Sequence, residues 1–276
     1  MAMLKLTILG NQGPYPGPGG ACSGYLVRSQ SAAVLIDCGP GVMPKLEQQI
    51  DLSSLDAIAI SHYHPDHFSD FLVMRYALHY IESTGEMNRP VKLALPQMDM
   101  DWFLQEIIGT GYRHLFDIIP VEDGTRFTAG DCDSGLIMDF REMNHAVLSF
   151  GAIMCAGKRV DGARAPLAYT SDTGPCESLE EMAGSAYALL AEASLREGDP
   201  RQKLPGHLSA AEAGRVAAEH GVARLLLTHL HPANLPEKSV SEASEACGGE
   251  VEIAAMGKTY ALNAPPFEKM EDEYEI

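Results

Sequence analysis

The heptad Ser61-His62-Tyr63-His64-Pro65-Asp66-His67 restricts this chain more than any other feature. Three of the chain's ten histidines fall within six positions there, beside an aspartate, and directly after the apolar run 57–60. That run is short and partly β-branched, as a buried strand is. In open α/β sheets, sites gather at the carboxyl ends of strands. In extended chain His62 and His64 are two apart and face the same side. Pro65 keeps His64 out of helical conformation and suits the first position of a helix. Asp66 and His67 then fall in that helix's first turn and face a second point nearby. Four ligand-type side chains so placed suit two metal ions sharing one mouth. The bland alternative is a histidine-rich surface loop, or an Asp and a His that only cap a helix.

Three more residues repeat the layout. His145 follows the apolar run 136–143, Asp172 follows 167–170, and His229 follows 225–228. Each alone is as well read as a turn residue or a satisfied core histidine; the shared placement favours one site. Histidine nitrogens and carboxylates with open positions for water are what a zinc pair takes, and Asp172 could bridge it. With no cysteine in the set, manganese or iron stays open. Two such ions can clamp the attacking and leaving oxygens of a displacement.

Around these points strands and helices interleave. Strands are predicted at 4–9, 25–28, 33–36, 57–60, 91–95, within 136–170, and at 189–193, 225–228, 251–255 and 259–262. Helices are predicted at 39–49, 65–81, 98–108, 209–219 and 240–246. The helix at 209–219 opens with a capping box, Ser209 and Glu212. No repeat and no linker divides the chain, so one α/β domain over 1–276 is expected, with a solvated acidic tail at about 268–276.

The net charge of −18 repels nucleic-acid backbones at long range but leaves room for a small or short anionic substrate, because metal ions reverse the local sign. Six scattered cysteines form no C-x-x-C pair and read as buried thiols. No apolar run approaches the ~18 residues of a membrane span, and the first ten residues lack the pattern of a signal peptide. A soluble, cytoplasmic protein is the expectation.

The motif His62, His64, Asp66, His67, followed in order by His145, Asp172 and His229, resembles that of the metallo-β-lactamase superfamily, over nearly the whole chain. The resemblance implies a four-layer α/β/β/α sandwich with the site at one edge, between the two sheets. It assigns His62, His64 and His145 to one metal and Asp66, His67 and His229 to the other, with Asp172 between them. Within the superfamily the chain is similar to the ribonuclease Z branch, on Ser149-Phe150-Gly151 and on Gly206-His207-Leu208-Ser209-Ala210, whose histidine stands 22 residues before His229. The resemblance gives His207 a role at the scissile phosphate. In Leu190-Ala191-Glu192-Ala193-Ser194, alanine replaces the branch's histidine, and Glu192 is left to orient His207. The branch's long transfer-RNA arm is absent, since only 26 residues separate His145 from Asp172. A basic turn at 157–166, with Lys158, Arg159 and Arg164, occupies part of that stretch.

The function expected is therefore hydrolysis of a small or single-stranded phosphodiester by a metal-bound hydroxide, with Asp66 orienting or deprotonating the water. Transfer RNA is not the expected substrate, and family resemblance allows a homodimer. Lactone, ester or thioester hydrolysis on the same metals is the alternative. Three further features stay open at this stage. The loop 13–20 could lie against the site or away from it. The residues Tyr76, Tyr80, Met98, Trp102 and Phe103 could form a lid or an interface, or pack in the core. His231 could face the site.

Overall fold

The computed structural model describes residues 3–157, 163–200 and 206–263. Its strands are β1 (Leu4–Gly10), β2 (Gly24–Arg28), β3 (Ala33–Ile36), β4 (Ala57–Ala59), β5 (Val91–Pro96), β6 (Phe116–Val121), β7 (Arg126–Ala129), β8 (Leu136–Met143), β9 (Ser149–Ala156), β10 (Ala165–Tyr169), β11 (Ala186–Glu192), β12 (Arg224–Thr228), β13 (Glu250–Ile253) and β14 (Thr259–Leu262). They form two seven-stranded sheets, ordered β14-β1-β2-β3-β4-β5-β6 and β13-β12-β11-β10-β9-β8-β7. Each sheet is part antiparallel and part parallel; the parallel pairs run from β3 to β6 in one and from β10 to β13 in the other.

Three apolar layers separate four layers of structure. Between the sheets, Leu6, Ile8, Tyr25 and Val27 meet Phe140, Met154, Leu167, Tyr169 and Leu226. Outside the first sheet, Leu35, Ile58 and Leu93 pack on Phe71, Met74, Leu78 and Phe103. Outside the second, Leu189, Leu225 and Leu227 pack on Leu179, Met182, Ala213 and Ala243. This is the α/β/β/α sandwich that the resemblance implies. Burying each such Leu, Val or Ile contributes roughly 1.5–3 kcal/mol. Hydrogen bonds register the sheets against each other: Tyr25 on β2 to Thr228 on β12 at 2.8 Å, and Tyr169 on β10 donating to Asp37 beyond β3 at 2.9 Å.

The helices are α1 (Met43–Leu46), α2 (Pro65–Phe68), α3 (Phe71–Ser83), α4 (Met100–Trp102), α5 (Glu177–Ser185), α6 (Ala210–Glu219) and α7 (Pro236–Cys247). Helix α7 begins four residues before the expected 240, and three others are cut short or broken relative to the sequence expectation. The helix expected at 39–49 shrinks to α1, because Gly39 lies against the Asp66 backbone, where a Cβ would clash, and Asp70 accepts the Gly41 and Met43 amides, each at 2.9 Å. The same contact divides the helix expected at 65–81 into α2 and α3: the His67 carbonyl accepts from Cys38, not from a later turn. The helix expected at 98–108 is one α-turn followed by a π-helical segment, Phe103–Ile108. The expected strands 57–60, 189–193 and 251–255 begin or end one to three residues away. Strands β6 and β7 and helix α5 were not foreseen. The acidic tail lies outside the described residues, as do Lys158 and Arg159 of the basic turn. Arg164 of that turn donates to the backbone carbonyls of Gly221 and His220.

Candidate metal centre

The site is built where strands end. Asp37 follows β3, His62 follows β4, Asp172 follows β10, Glu192 closes β11, and His229 follows β12. Strand β8 runs in the direction of β10, with β9 antiparallel between them, so His145 reaches the same edge. Three of these strand ends turn through left-handed backbone at non-glycine residues: Asp37 (φ 57°), Ser171 (φ 55°) and His229 (φ 51°). Such conformations cost about 1–2 kcal/mol each and persist where surrounding contacts enforce them, often at functional sites.

All seven residues of the sequence motif converge. His62 Nε2 lies 3.0 Å from His64 Nδ1, which lies 3.1 Å from His145 Nε2. His229 Nε2 lies 3.0 Å from Asp66 Oδ2 and 3.3 Å from His67 Nε2. Asp172 stands between the two groups. Its Oδ2 is 3.8 Å from His62 and 4.0 Å from His145, and its Oδ1 is 3.4 Å from both His67 and His229. Two sets of donor atoms, one of His62, His64, His145 and Asp172 and one of Asp66, His67 and His229, thus close around two points; Asp172 Oδ1 also approaches His67 and His229, and Asp172, His207 and His229 group at the same edge.

Outer partners fix which nitrogen faces inward in four of the five rings. His145 Nδ1 is 2.7 Å from the Gly206 carbonyl, which can only accept, so Nδ1 carries the proton and Nε2 offers a lone pair. His67 Nδ1 donates to Asp37 at 2.8 Å, and His229 Nδ1 donates to Ser194 Oγ at 2.8 Å. His62 Nδ1 donates to Ser61 Oγ at 3.1 Å, and that hydroxyl donates onward to Asp37 at 2.9 Å. Holding the outer nitrogen of a ring in this way orients it for a metal at the other.

The donor set fits divalent cations. Asp172 Oδ1 is buried without a hydrogen-bond partner. His229 Nε2 and Asp66 Oδ2 lie 3.0 Å apart, a spacing that a ring proton bridges and that a cation held by both atoms would take over. Burial pushes the pKa of His62, His64 and His145 down, so these rings are neutral, the form that binds metal. Burial alone would raise Asp172, but His229 and His67 hold it well below the usual carboxylate range. Burial works against protonation of His67 too, yet Asp172 and Asp37 raise it well above the usual histidine value. The second group is therefore a place that stabilises positive charge.

His207 stands beside this cage. The link 193–195 lies along 207–209, with Leu195 N donating to the Leu208 carbonyl at 3.0 Å, which carries His207 back over β11. There His207 Nδ1 donates to Glu192 Oε1 at 2.8 Å and sits 4.0 Å from Asp172. Glu192 is fully buried and also accepts from the Thr173 amide and from Ser194. Burial lowers the His207 pKa, but the Glu192 charge and hydrogen bond outweigh it and push it up to about 9. Helix α6 follows at once, with the expected reciprocal Ser209–Glu212 capping box.

A cleft of about 470 Å³ opens over the cage, lined by Pro14, His64, Asp66, His145, His207 and His229 among others, with His231 also on its wall. The loop 13–20 thus does lie against the site: Gly13 packs so closely on His229 that a Cβ there would fall on the ring. Tyr63 points away, donating to the Pro96 carbonyl at 2.7 Å and stacking on Phe103. Of the five residues left open, Tyr76, Tyr80, Met98, Trp102 and Phe103, only Phe103 is core; the other four are exposed.

Sequence reasoning missed Asp37, Ser61 and Ser194, which orient the imidazoles. Asp37 had the same signal as the others, a polar residue ending an apolar strand.

Fold and site define a metallo-hydrolase of the metallo-β-lactamase type. The chain matches the model of the beta-lactamase superfamily domain over residues 32–230, and it belongs to that superfamily. It is similar to the probable metallo-hydrolase YhfI of Bacillus subtilis, 29% identical over 254 residues, covering 92% of this chain and 98% of YhfI. The crystal structure of YhfI aligns with a TM-score of 0.81 at 27% identity, covering 95% of this chain and all (100%) of that one. Protein ML1173 of Mycobacterium leprae is 33% identical over 275 residues (95% of this chain, 90% of that protein). A ribonuclease Z of Mycobacterium bovis is 27% identical over 275 residues (91% and 95%). Among the described residues, no helix is long and apolar enough to cross a membrane.

Proposed function

We propose that this protein is a phosphodiesterase acting in the cytoplasm on a small or single-stranded phosphodiester. His62, His64 and His145 would hold one divalent cation and Asp66, His67 and His229 a second, with Asp172 shared. Zinc is the first choice, and manganese or iron the alternatives. When bound, such a pair supplies an activated water and positive charge facing the phosphoryl oxygens.

The observation that carries the phosphodiester reading is His207, a half-buried imidazole outside the cage, locked by Glu192 on the cleft wall. With Nδ1 engaged by Glu192, Nε2 is the atom that hands a proton to the departing oxygen or holds a phosphoryl oxygen. Glu192 is a positioning residue: it keeps the ring's tautomer and its charge. Asp66 orients the attacking water or takes its proton. Pro14 and the 13–20 loop narrow the cleft, which suits a small or short substrate better than transfer RNA. The ribonuclease Z relatives support the same chemistry.

His207→Ala tests the reading. Hydrolysis of bis-p-nitrophenyl phosphate should fall by roughly 10²–10⁴-fold with metal content unchanged. Undiminished phosphodiester turnover in the variant would refute the role of His207. A wild type that cleaves lactones or thioesters but not phosphodiesters would replace the proposed activity with ester-type hydrolysis.

A further inference from the structure

We propose that the outer face of the first sheet carries another transition-metal site, formed by His79, Glu82 and His114. His79 and Glu82 are one turn apart on α3, and His114 comes from the 3-10 turn Arg113–Leu115. Glu82 Oε2 lies 3.7 Å from His79 Nδ1 and 3.8 Å from His114 Nε2, and all three donor atoms fall within 4.8 Å of one another. Bonds of about 2.1 Å in tetrahedral geometry place ligand atoms roughly 3.4 Å apart. Small rotations of side chains that are 47%, 40% and 53% exposed therefore close the set. Two imidazoles and one carboxylate with an open position for water suit zinc, copper or nickel over magnesium or calcium.

The surroundings prepare the set. The His79 and Tyr112 rings meet edge to face, their centroids 5.4 Å apart, which limits rotation of the imidazole. One turn earlier on α3, Arg75 donates to the Ile107 and Ile108 carbonyls and already ties the helix to the π-helical segment. A cation on His79, Glu82 and His114 adds a second tie between the far end of α3 and the chain that returns from that segment into β6. The segment packs Phe103 against Tyr63, the residue between His62 and His64, so the clip braces the wall behind the cage.

Zinc titrated calorimetrically into the full chain should bind one equivalent more in wild type than in His79→Ala or His114→Ala. The additional zinc should raise the wild-type Tm by roughly 5 °C at 100-fold excess over Kd, a gain that both variants lose. Both side chains are exposed and lie on different elements, and circular dichroism checks that each variant folds. The readout is a difference of one cation between proteins that share the same interior cage, so it holds whatever number of cations the cage takes. Equal stoichiometry and equal zinc-dependent Tm in wild type and both folded variants would overturn the site.

Discussion

Three imidazoles of the cage, His67, His145 and His229, owe their orientation to partners far away in sequence, and this is where reading the chain falls short. His62, His64, Asp66 and His67 are legible because they crowd into six positions. Asp37 is equally central, accepting from Ser61, His67 and Tyr169, but its one local signal, a carboxylate ending the apolar strand β3, does not say which residues it holds. Asp37→Asn keeps the shape and removes the charge behind His67. The account expects a roughly 10–100-fold loss of metal affinity, read by competition with a chromophoric chelator. Unchanged affinity would mean that Asp37 serves only to join the sheets. His207 and Glu192 as its orienting partner were both expected from the resemblance; the 193–195 and 207–209 stretches running side by side bring the two within 2.8 Å.

Among elements, those with strong periodicity or sharp boundary signals were legible: the β1–β3 strands, the Pro65 helix start and the capped α6. Those missed are short or lie at edges. Strand β6 contains Pro120, which a central strand would exclude but an edge strand accommodates, and β6 closes the first sheet. Strand β7 likewise closes the second sheet with four residues. Edge strand β13 is held to β12 by Glu252, which Arg224 and Lys258 both contact. Burial raises the Glu252 pKa, but the Lys258 and Arg224 hydrogen bonds outweigh it and leave it below 4.5. A depressed carboxylate pKa adds stability that is present above the unfolded-state value and is lost as pH falls through the folded one. Glu252→Gln should therefore cost about 0.5–1 kcal/mol at pH 7 and progressively less as pH falls below 4.5, in urea melts across that range. A penalty that does not vary with pH would assign the loss to packing.

In the whole molecule, two half-parallel sheets face each other so that their strand ends deliver seven ligand-type side chains to one edge. That architecture was legible as what the resemblance implies, whereas the residues by themselves showed only that His62, His145, Asp172 and His229 each follow an apolar run. How deep the cleft is, and how the 13–20 loop narrows it, was not legible, because both depend on contacts between distant segments. The central claim is that the edge holds two cations sharing Asp172. Anomalous scattering from crystals grown with zinc tests it most directly. The account predicts two peaks in the interior, one among His62, His64, His145 and Asp172, the other among Asp66, His67, His229 and Asp172. Crystals with zinc bound at the surface and neither interior position occupied would contradict it.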